Sequence, residues 1–333
     1  MNKDNTEVEE VYSFGEYSCN ATKVGSGDRS IAIIAGNHGD EKGPKEVIQD
    51  MLEDGELNYE NLTVTVIEDA NIYASESTRR ETPLDVQRVE ADEHDLNRVY
   101  EDAREALRQI SPRESLQQLN TTGQLAYKVL DYIENLEPDL VVDVHTGTSA
   151  TVKMPQIRYK FREEYEDVNE SEMREVAENA GVDMVNTVPG RDAQMMGAVL
   201  PKMGFPAVTV EVGGGVRLGW DTAFEEEEKE KYRDIIENIM KFKARGTETD
   251  YNPNEFTNIE KNHAPAEVSK AEVEYHFDLG DKVEEGDTVA TLSFEDGEVE
   301  MEALSNGVIE TVLAEDSRNN VRHGNRIFNI ATE

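Results

Sequence analysis

The sequence predicts an α/β domain followed by a small all-β unit, and three observations carry that expectation. Apolar runs of strand length alternate with helical patterns through roughly the first 245 residues. After Gly246 the texture changes, first to a polar stretch and then to short apolar runs separated by Gly-containing turns. With 333 residues, 37% of them hydrophobic, the chain is long enough for one large domain and one small one, each with its own core.

The elements follow in order. Residues 30–35 (SIAIIA) read as a buried strand. Pro44 sits where a first helical turn tolerates it, and residues 45–52 carry helical spacing up to Gly55. Residues 62–67 (LTVTVI) form a second strand, and 113–136 read as one long helical stretch stopped by Pro138. Residues 140–144 and 207–212 are further strands, with a helix over 170–179 between them, closed by Gly181. A last helix spans 221–245. Asp221 caps it, Glu225 to Glu228 load its first turns, Lys241, Lys243 and Arg245 load its last, and Gly246 ends it. This divides the chain into a domain over 1–246, an irregular linker over 247–263 with Pro253 inside it, and the β unit over 264–333. Asp278-Leu279-Gly280-Asp281, Glu284-Glu285-Gly286-Asp287 and Ser305-Asn306-Gly307 supply its turns.

Charge narrows the function classes. There are 33 basic and 72 acidic residues, a net charge of −39. Such a surface repels nucleic acid and anionic membranes, so neither is expected as a partner. The acidity suits either a dock for a basic partner or a solvated skin adapted to high salt. The acidic residues are scattered along the whole chain, which favours the skin and predicts a salt-loving source. Cys19 is the one cysteine, so no internal disulfide can form and a reducing cytoplasm is expected. The opening Met1-Asn2-Lys3-Asp4 is unlike a signal peptide, and no apolar run approaches the length of a membrane span.

Gly36-Asn37-His38-Gly39-Asp40-Glu41 joins the first strand to the first helix. Ligands three apart across such a turn can converge on one metal. A histidine nitrogen with a carboxylate oxygen suits zinc and leaves a third ligand to come from elsewhere. A histidine bonded to the turn backbone would give the same local sequence. The third-ligand candidate is His145, ending Leu140-Val141-Val142-Asp143-Val144-His145 ahead of Thr146-Gly147-Thr148. A histidine there is costly to bury unless paired or ligated. The ligand crevice of an open α/β sheet lies outside the carboxyl ends of its strands, where His38 also sits. Asp143, on the same strand face, can orient a ligand histidine or be salt-bridged elsewhere.

Glu211 lies in Val208-Thr209-Val210-Glu211-Val212-Gly213-Gly214-Gly215, another apolar strand running into glycines. Desolvation raises the pKa of a lone carboxylate there unless a metal or cation compensates, which suits a general base that later acts as an acid. A structural glutamate paired with an arginine is the plainer reading. Positive charge is scarce beside the acidic residues, and two segments after the second strand hold arginines: Asp95-Leu96-Asn97-Arg98, and the run from Asn71 to Arg79 and Arg80. An arginine near zinc can polarise a scissile carbonyl, and another can clamp a carboxylate bidentately. On an acidic surface arginines also simply neutralise their neighbours. Arg158, Arg191 and Arg217 are further candidates for reading an anionic substrate, whereas His94, His263, His276 and His323 lack comparable contexts.

Together these motifs resemble the succinylglutamate desuccinylase/aspartoacylase family of zinc carboxypeptidase-like hydrolases. The likeness rests on G-x-H-G-x-E (Gly36 to Glu41), N-x-x-A-x5-R (Asn71, Ala74, Arg80), D-L-N-R (Asp95 to Arg98), a strand ending D-x-H (Asp143, His145) and E-x-G (Glu211, Gly213). The resemblance implies a mixed sheet between helices with a smaller hammerhead- or barrel-like β domain appended. It implies one Zn2+ per chain on His38, Glu41 and His145, Glu211 as general base and acid, Arg80 polarising the carbonyl, and Asn97 with Arg98 holding a substrate carboxylate. Either Arg79 or Arg80 can face the site, and spacing from Asn71 favours Arg80. This chain departs from the family where Ile72 follows Asn71, where Val99-Tyr100-Glu101 follows Arg98, and in a longer, more acidic stretch between Arg80 and Asp95.

The expected activity is zinc-dependent hydrolysis of a small anionic N-acyl amino acid. A metallocarboxypeptidase acting on peptides would share the machinery, and a silent binding protein would have lost a ligand or the glutamate. The β unit resembles biotinyl and lipoyl carrier domains, but its hairpin reads Glu298-Val299-Glu300-Met301-Glu302-Ala303 without the lysine a carrier modifies. A structural or site-covering role is therefore expected of it. The sequence leaves room for a homo-oligomer.

Overall fold

The structure is a computed structural model that describes residues 6–83, 94–109, 111–148, 150–161, 165, 168–187, 194–214, 226–246, 253–295 and 297–333. Strands β1 (Glu7–Phe14), β2 (Tyr17–Gly25), β3 (Arg29–Ile34), β4 (Leu62–Ile67), β5 (Leu140–His145), β6 (Thr151–Arg158), β7 (Met184–Asn186) and β8 (Ala207–Gly214) build the first part of one large mixed sheet. β4, β3, β5 and β8 lie side by side and parallel, while β2 and β6 flank them antiparallel.

The parallel strands are buried on both faces, and their side chains alternate between two cores with the strand period of two. Ile31, Ile33, Val142, Val208 and Val210 face one core, while Ala32, Ile34, Val141 and Ala207 face the other. Helices α1 (Lys42–Glu53), α2 (Ile72–Ser77), α3 (Tyr100–Leu107), α4 (Pro112–Gln118), α5 (Thr121–Leu136), α6 (Glu170–Asn179), α7 (Met196–Lys202) and α8 (Glu226–Arg245) cover both. Val47 of α1, Val176 of α6 and Ile235 of α8 close the first core; Tyr100 of α3, Leu125 of α5 and Val199 of α7 close the second. By parity, Asp143, His145 and Glu211 turn toward the second core's face, which decides where the site forms.

The C-terminal part adds β9 (Asn254–Phe256), β10 (Asn258–His263), β11 (Glu272–Tyr275), β12 (Lys282–Val283), β13 (Thr288–Phe294), β14 (Gly297–Glu302), β15 (Gly307–Leu313) and β16 (Arg326–Thr332). It has its own core, with Val289, Leu292, Ile309, Phe328 and Ile330 at its centre. β11, β13 and β14 form a separate three-stranded sheet. β15 instead pairs antiparallel with β6, so the large sheet runs on as β8-β6-β15-β16-β10. The expected all-β unit is present, and its ladder is continuous with that of the first domain.

The structure corrects several expectations. Residues 113–136 are not one helix: Leu119 is extended, and the Asn120 side chain accepts from Gly123 N to cap α5, so the stretch breaks into α4 and α5. The segment read as an irregular linker holds β9 and β10, paired with β7 and β16. β1, β2, β6 and β7 were not anticipated. Asp221, read as the cap of the last helix, lies outside the described residues. Among the described residues, no helix is long and apolar enough to cross a membrane.

Candidate metal centre and active site

Three strand ends build the site. β3 runs into Gly36, at φ +74°, where an added Cβ would meet the Glu68 carbonyl oxygen at 2.8 Å. Gly39 packs tighter still, since a Cβ there would lie 1.9 Å from the Ala74 carbonyl oxygen. Both glycines let the turn fold down, so that His38 and Glu41, at the start of α1, point to one spot. β5 delivers His145, and β8 sets Glu211 directly beside it in register.

The Glu41 carboxylate lies between the two histidines. Its Oε1 is 2.8 Å from His38 Nδ1 and its Oε2 is 2.7 Å from His145 Nδ1. One ligand atom from each of the three residues lies within 4.8 Å of the others, and all three residues are buried. The far ring nitrogens are held separately. His38 Nε2 is 2.9 Å from Asp95 Oδ1, and His145 Nε2 is 3.1 Å from Asp143 Oδ2. Asp143 is itself fixed by the Asn37 amide at 2.7 Å, and Asn37 by the Tyr100 hydroxyl at 2.6 Å.

This arrangement fits a metal. Carboxylates on both Nε2 atoms set the ring orientations and leave both Nδ1 atoms facing the Glu41 oxygens, the outer-shell pattern of metal-ligating histidines. The electrostatics agree. Burial alone would raise the Glu41 carboxyl, but His38 and His145 hold it well below the usual carboxylate range. Burial pushes His145 down, and the Asp143 and Glu41 carboxylates more than reverse it; Glu41 likewise raises His38 against its burial. The cluster is built to surround positive charge.

The residues the resemblance assigns to metal, catalysis and substrate all line one cavity of about 700 Å³: His38, Glu41, Arg80, Asn97, Arg98, His145 and Glu211. Arg80 donates to Glu41 Oε1 at 2.8 Å and stands 3.5 Å from Asp95 Oδ2. Arg79 is exposed, and its carbonyl instead accepts from Gly39 N. Asn97 is fully buried; its Oδ1 accepts from Met196 N at 2.9 Å and its Nδ2 lies 3.3 Å from His145 Nε2. Arg98 is half-buried and donates to the Asn97 carbonyl oxygen.

Glu211 does not stand alone. Lys153 on β6 bonds its Oε2, and Arg158 Nη1 lies 3.3 Å from its Oε1. Arg158 also donates at 2.6 Å to Glu310 of β15, a fully buried carboxylate that Gln156, Thr311 and Asn329 also bond. Arg158 is thus engaged by two carboxylates rather than left open for substrate. Arg191 and Arg217 lie outside the described residues. Sequence reasoning missed Lys153, Glu310 and the part of Asp95 in holding His38. The D-L-N-R motif contained Asp95, but nothing in the sequence pointed its carboxylate at a ring nitrogen.

Comparison with known proteins follows the same division. The family model of the succinylglutamate desuccinylase/aspartoacylase catalytic domain matches residues 28–242, and one described as a biotin-requiring enzyme matches 263–330. No curated protein matches. Among solved structures, the product-bound ectoine utilization protein EutE (DoeB) from Ruegeria pomeroyi superposes with a TM-score of 0.74 at 16% identity, covering 99% of this chain and 97% of that one. A succinylglutamate desuccinylase/aspartoacylase from Rhodobacter sphaeroides gives 0.71 at 17% identity, over 100% and 97%. A succinylglutamate desuccinylase from a Silicibacter species gives 0.68 at 18%, over 99% and 96%. At such identities these likenesses speak for the fold, which the chain shares along its whole length.

Proposed function

Because the chain belongs to the succinylglutamate desuccinylase/aspartoacylase family of deacylases, we propose that it is a zinc-dependent hydrolase cleaving the amide bond of a small anionic N-acyl amino acid. The observation that carries this reading is the Glu41 carboxylate set between His38 Nδ1 and His145 Nδ1, with Glu211 on the neighbouring strand. Two nitrogens and a carboxylate suit zinc and leave a position open for water. Zinc held there would lower the pKa of a bound water to about 7 and polarise a carbonyl.

The chain's own residues do the rest. Glu211 takes the proton of the attacking water and returns it to the leaving amine. Lys153 and Arg158 pair with the Glu211 carboxylate and hold it in position beside His145. Arg80, bonded to Glu41, stabilises the oxyanion in this reading, and Arg98, on the cavity wall, holds a substrate carboxylate. The products are a carboxylate and a free amino acid.

Metal content is the first test. Protein purified in high salt should carry about one zinc per chain, and His38→Ala and His145→Ala should each lose it. N-acyl amino acids are then screened with Glu211→Ala as blank and peptides as the competing substrate class. A folded wild type that neither retains nor takes up zinc overturns the mechanism.

A further inference from the structure

Tyr232 of α8 is fully buried, with its ring among the side chains of the first core. Its hydroxyl reaches the backbone of the two strand ends that carry His145 and Glu211. It accepts from His145 N at 3.0 Å and lies 3.1 Å from the carbonyl oxygens of Val210 and His145. A phenol has one hydrogen, which goes to one of these carbonyls or is shared between them. Burying a tyrosine calls for one partner for its hydroxyl, and a carbonyl alone would meet that need. This hydroxyl also takes the amide of a ligand histidine.

The place it occupies is a rung of the parallel ladder between β5 and β8. Val141 N donates to the carbonyl oxygen of Pro206, the residue before its register partner Ala207. Further along β5, the same rule faces His145 N with the carbonyl oxygen of Val210, the residue before Glu211. The hydroxyl touches both ends of that rung. Beyond it, Gly147 N donates to Gly213 O, where the rule would select Val212 O, so the pairing slips by one residue just past the hydroxyl. Helix α8 bears on this slip as well. A Cβ on Gly213, at φ +67°, would meet Glu228 Oε1 at 2.2 Å, and Glu228 stands one helical turn before Tyr232 on the same face.

We propose that Tyr232 is a positioning residue that sets, from behind the sheet, how far apart and at what tilt His145 and Glu211 face the cavity. This rests on the hydrolase reading and adds to it a residue on the far side of the strands. Side chains alternate between the two faces of a strand. Val144 and Val210 turn to the first core with Tyr232, while His145 and Glu211 turn the other way. The hydroxyl therefore acts through the backbone alone. A hydroxyl bonded to both ends of one rung holds the strands to a spacing that a direct amide-to-carbonyl bond would not. Without it, His145 N and Val210 O close on each other, and the metal ligand moves against the glutamate.

The test is Tyr232→Phe, which keeps the ring and its packing, beside Ile236→Val, which loosens the same helix in the same core. Cobalt replaces zinc for one readout, because its visible bands report the geometry of the ligands around it. Tyr232→Phe should change these bands and lower zinc affinity about tenfold in chelator competition. Its kcat should fall about tenfold with KM little changed. Ile236→Val should lower the thermal midpoint and leave bands and affinity at wild-type values. In metal-free protein with nitrogen-labelled histidine, Tyr232→Phe should move the NMR ring signals of His145, assigned with His145→Ala, and leave those of His263 and His323 in place. Wild-type bands and affinity in Tyr232→Phe, changes matched by Ile236→Val, or unmoved His145 ring signals would each overturn the placement. A wild type that hydrolyses no N-acyl amino acid, with the cobalt bands and His145 signals still moved by Tyr232→Phe, overturns the catalytic reading alone.

Discussion

Arg158 donates one guanidinium nitrogen to Glu310 at 2.6 Å and presents another to Glu211 at 3.3 Å. A side chain of β6 thereby joins the carboxylate of the appended unit to the carboxylate assigned to proton transfer. Gln156, Thr311 and Asn329 complete the bonding of Glu310, so this buried charge is fully matched. Matched buried pairs add little over apolar packing, but breaking one strands a charge.

Glu310→Ala is therefore expected to cost about 3–5 kcal/mol of stability, read as a shift in the urea midpoint. Glu310→Gln keeps the shape and should cost less. With Glu310 neutral, both cations fall to Glu211, and kcat should drop about tenfold while KM and zinc content stay unchanged. A fall in zinc content parallel to activity would show that Glu310 acts only through the fold.

Acid should reveal the same carboxylate. Burial alone would raise the Glu310 carboxyl, but Arg158 and Lys153 hold it at about 2, below its ordinary 4.5. Its stabilising contribution is complete above about pH 4.5 and is lost as the pH falls toward 2. The difference in unfolding free energy between wild type and Glu310→Gln should shrink across that window. A difference that stays constant from neutral pH down to about pH 3 would contradict the depressed value.

Asp143→Asn and Asp95→Asn leave all three ligands in place but weaken what orients them. Each should lower zinc affinity about 10–100-fold, measured by competition with a chromogenic chelator. Unchanged affinity in both would mean that the ring orientations are set by packing instead.

Salt should stabilise this protein. At about 0.1 M ionic strength the screening length is about 10 Å, and at about 1 M about 3 Å. Mutual repulsion among 72 acidic residues is relieved over that range. The thermal midpoint should rise as KCl is added, and a flat or falling midpoint would remove the high-salt reading of the surface.

Much of this was legible in residue order because the parallel strands announce themselves. Residues buried on both faces, such as 62–67 and 140–144, leave continuous apolar runs, and the glycines of the His38 turn mark close backbone approach. β6 gave no such signal for a physical reason. It carries Lys153 and Arg158 against the cavity, so a strand that lines a charged site loses the apolar pattern of a strand. β10, at the end of the large sheet, is polar along most of its length and read as linker. Glu310 was hidden differently. Its chemistry depends on a neighbour 152 residues away, and no local spacing encodes that pair.

The pairing of β15 with β6 sets the mobility of the C-terminal unit. A carrier domain works as a swinging arm, commuting on a tether between distant stations. Here the same kind of β module is stitched into its neighbour's ladder and clamped by Arg158 and Glu310, so it has no free travel. It serves as a fixed abutment: whatever enters the cavity meets a rigid wall, and melting should proceed as one event rather than module by module.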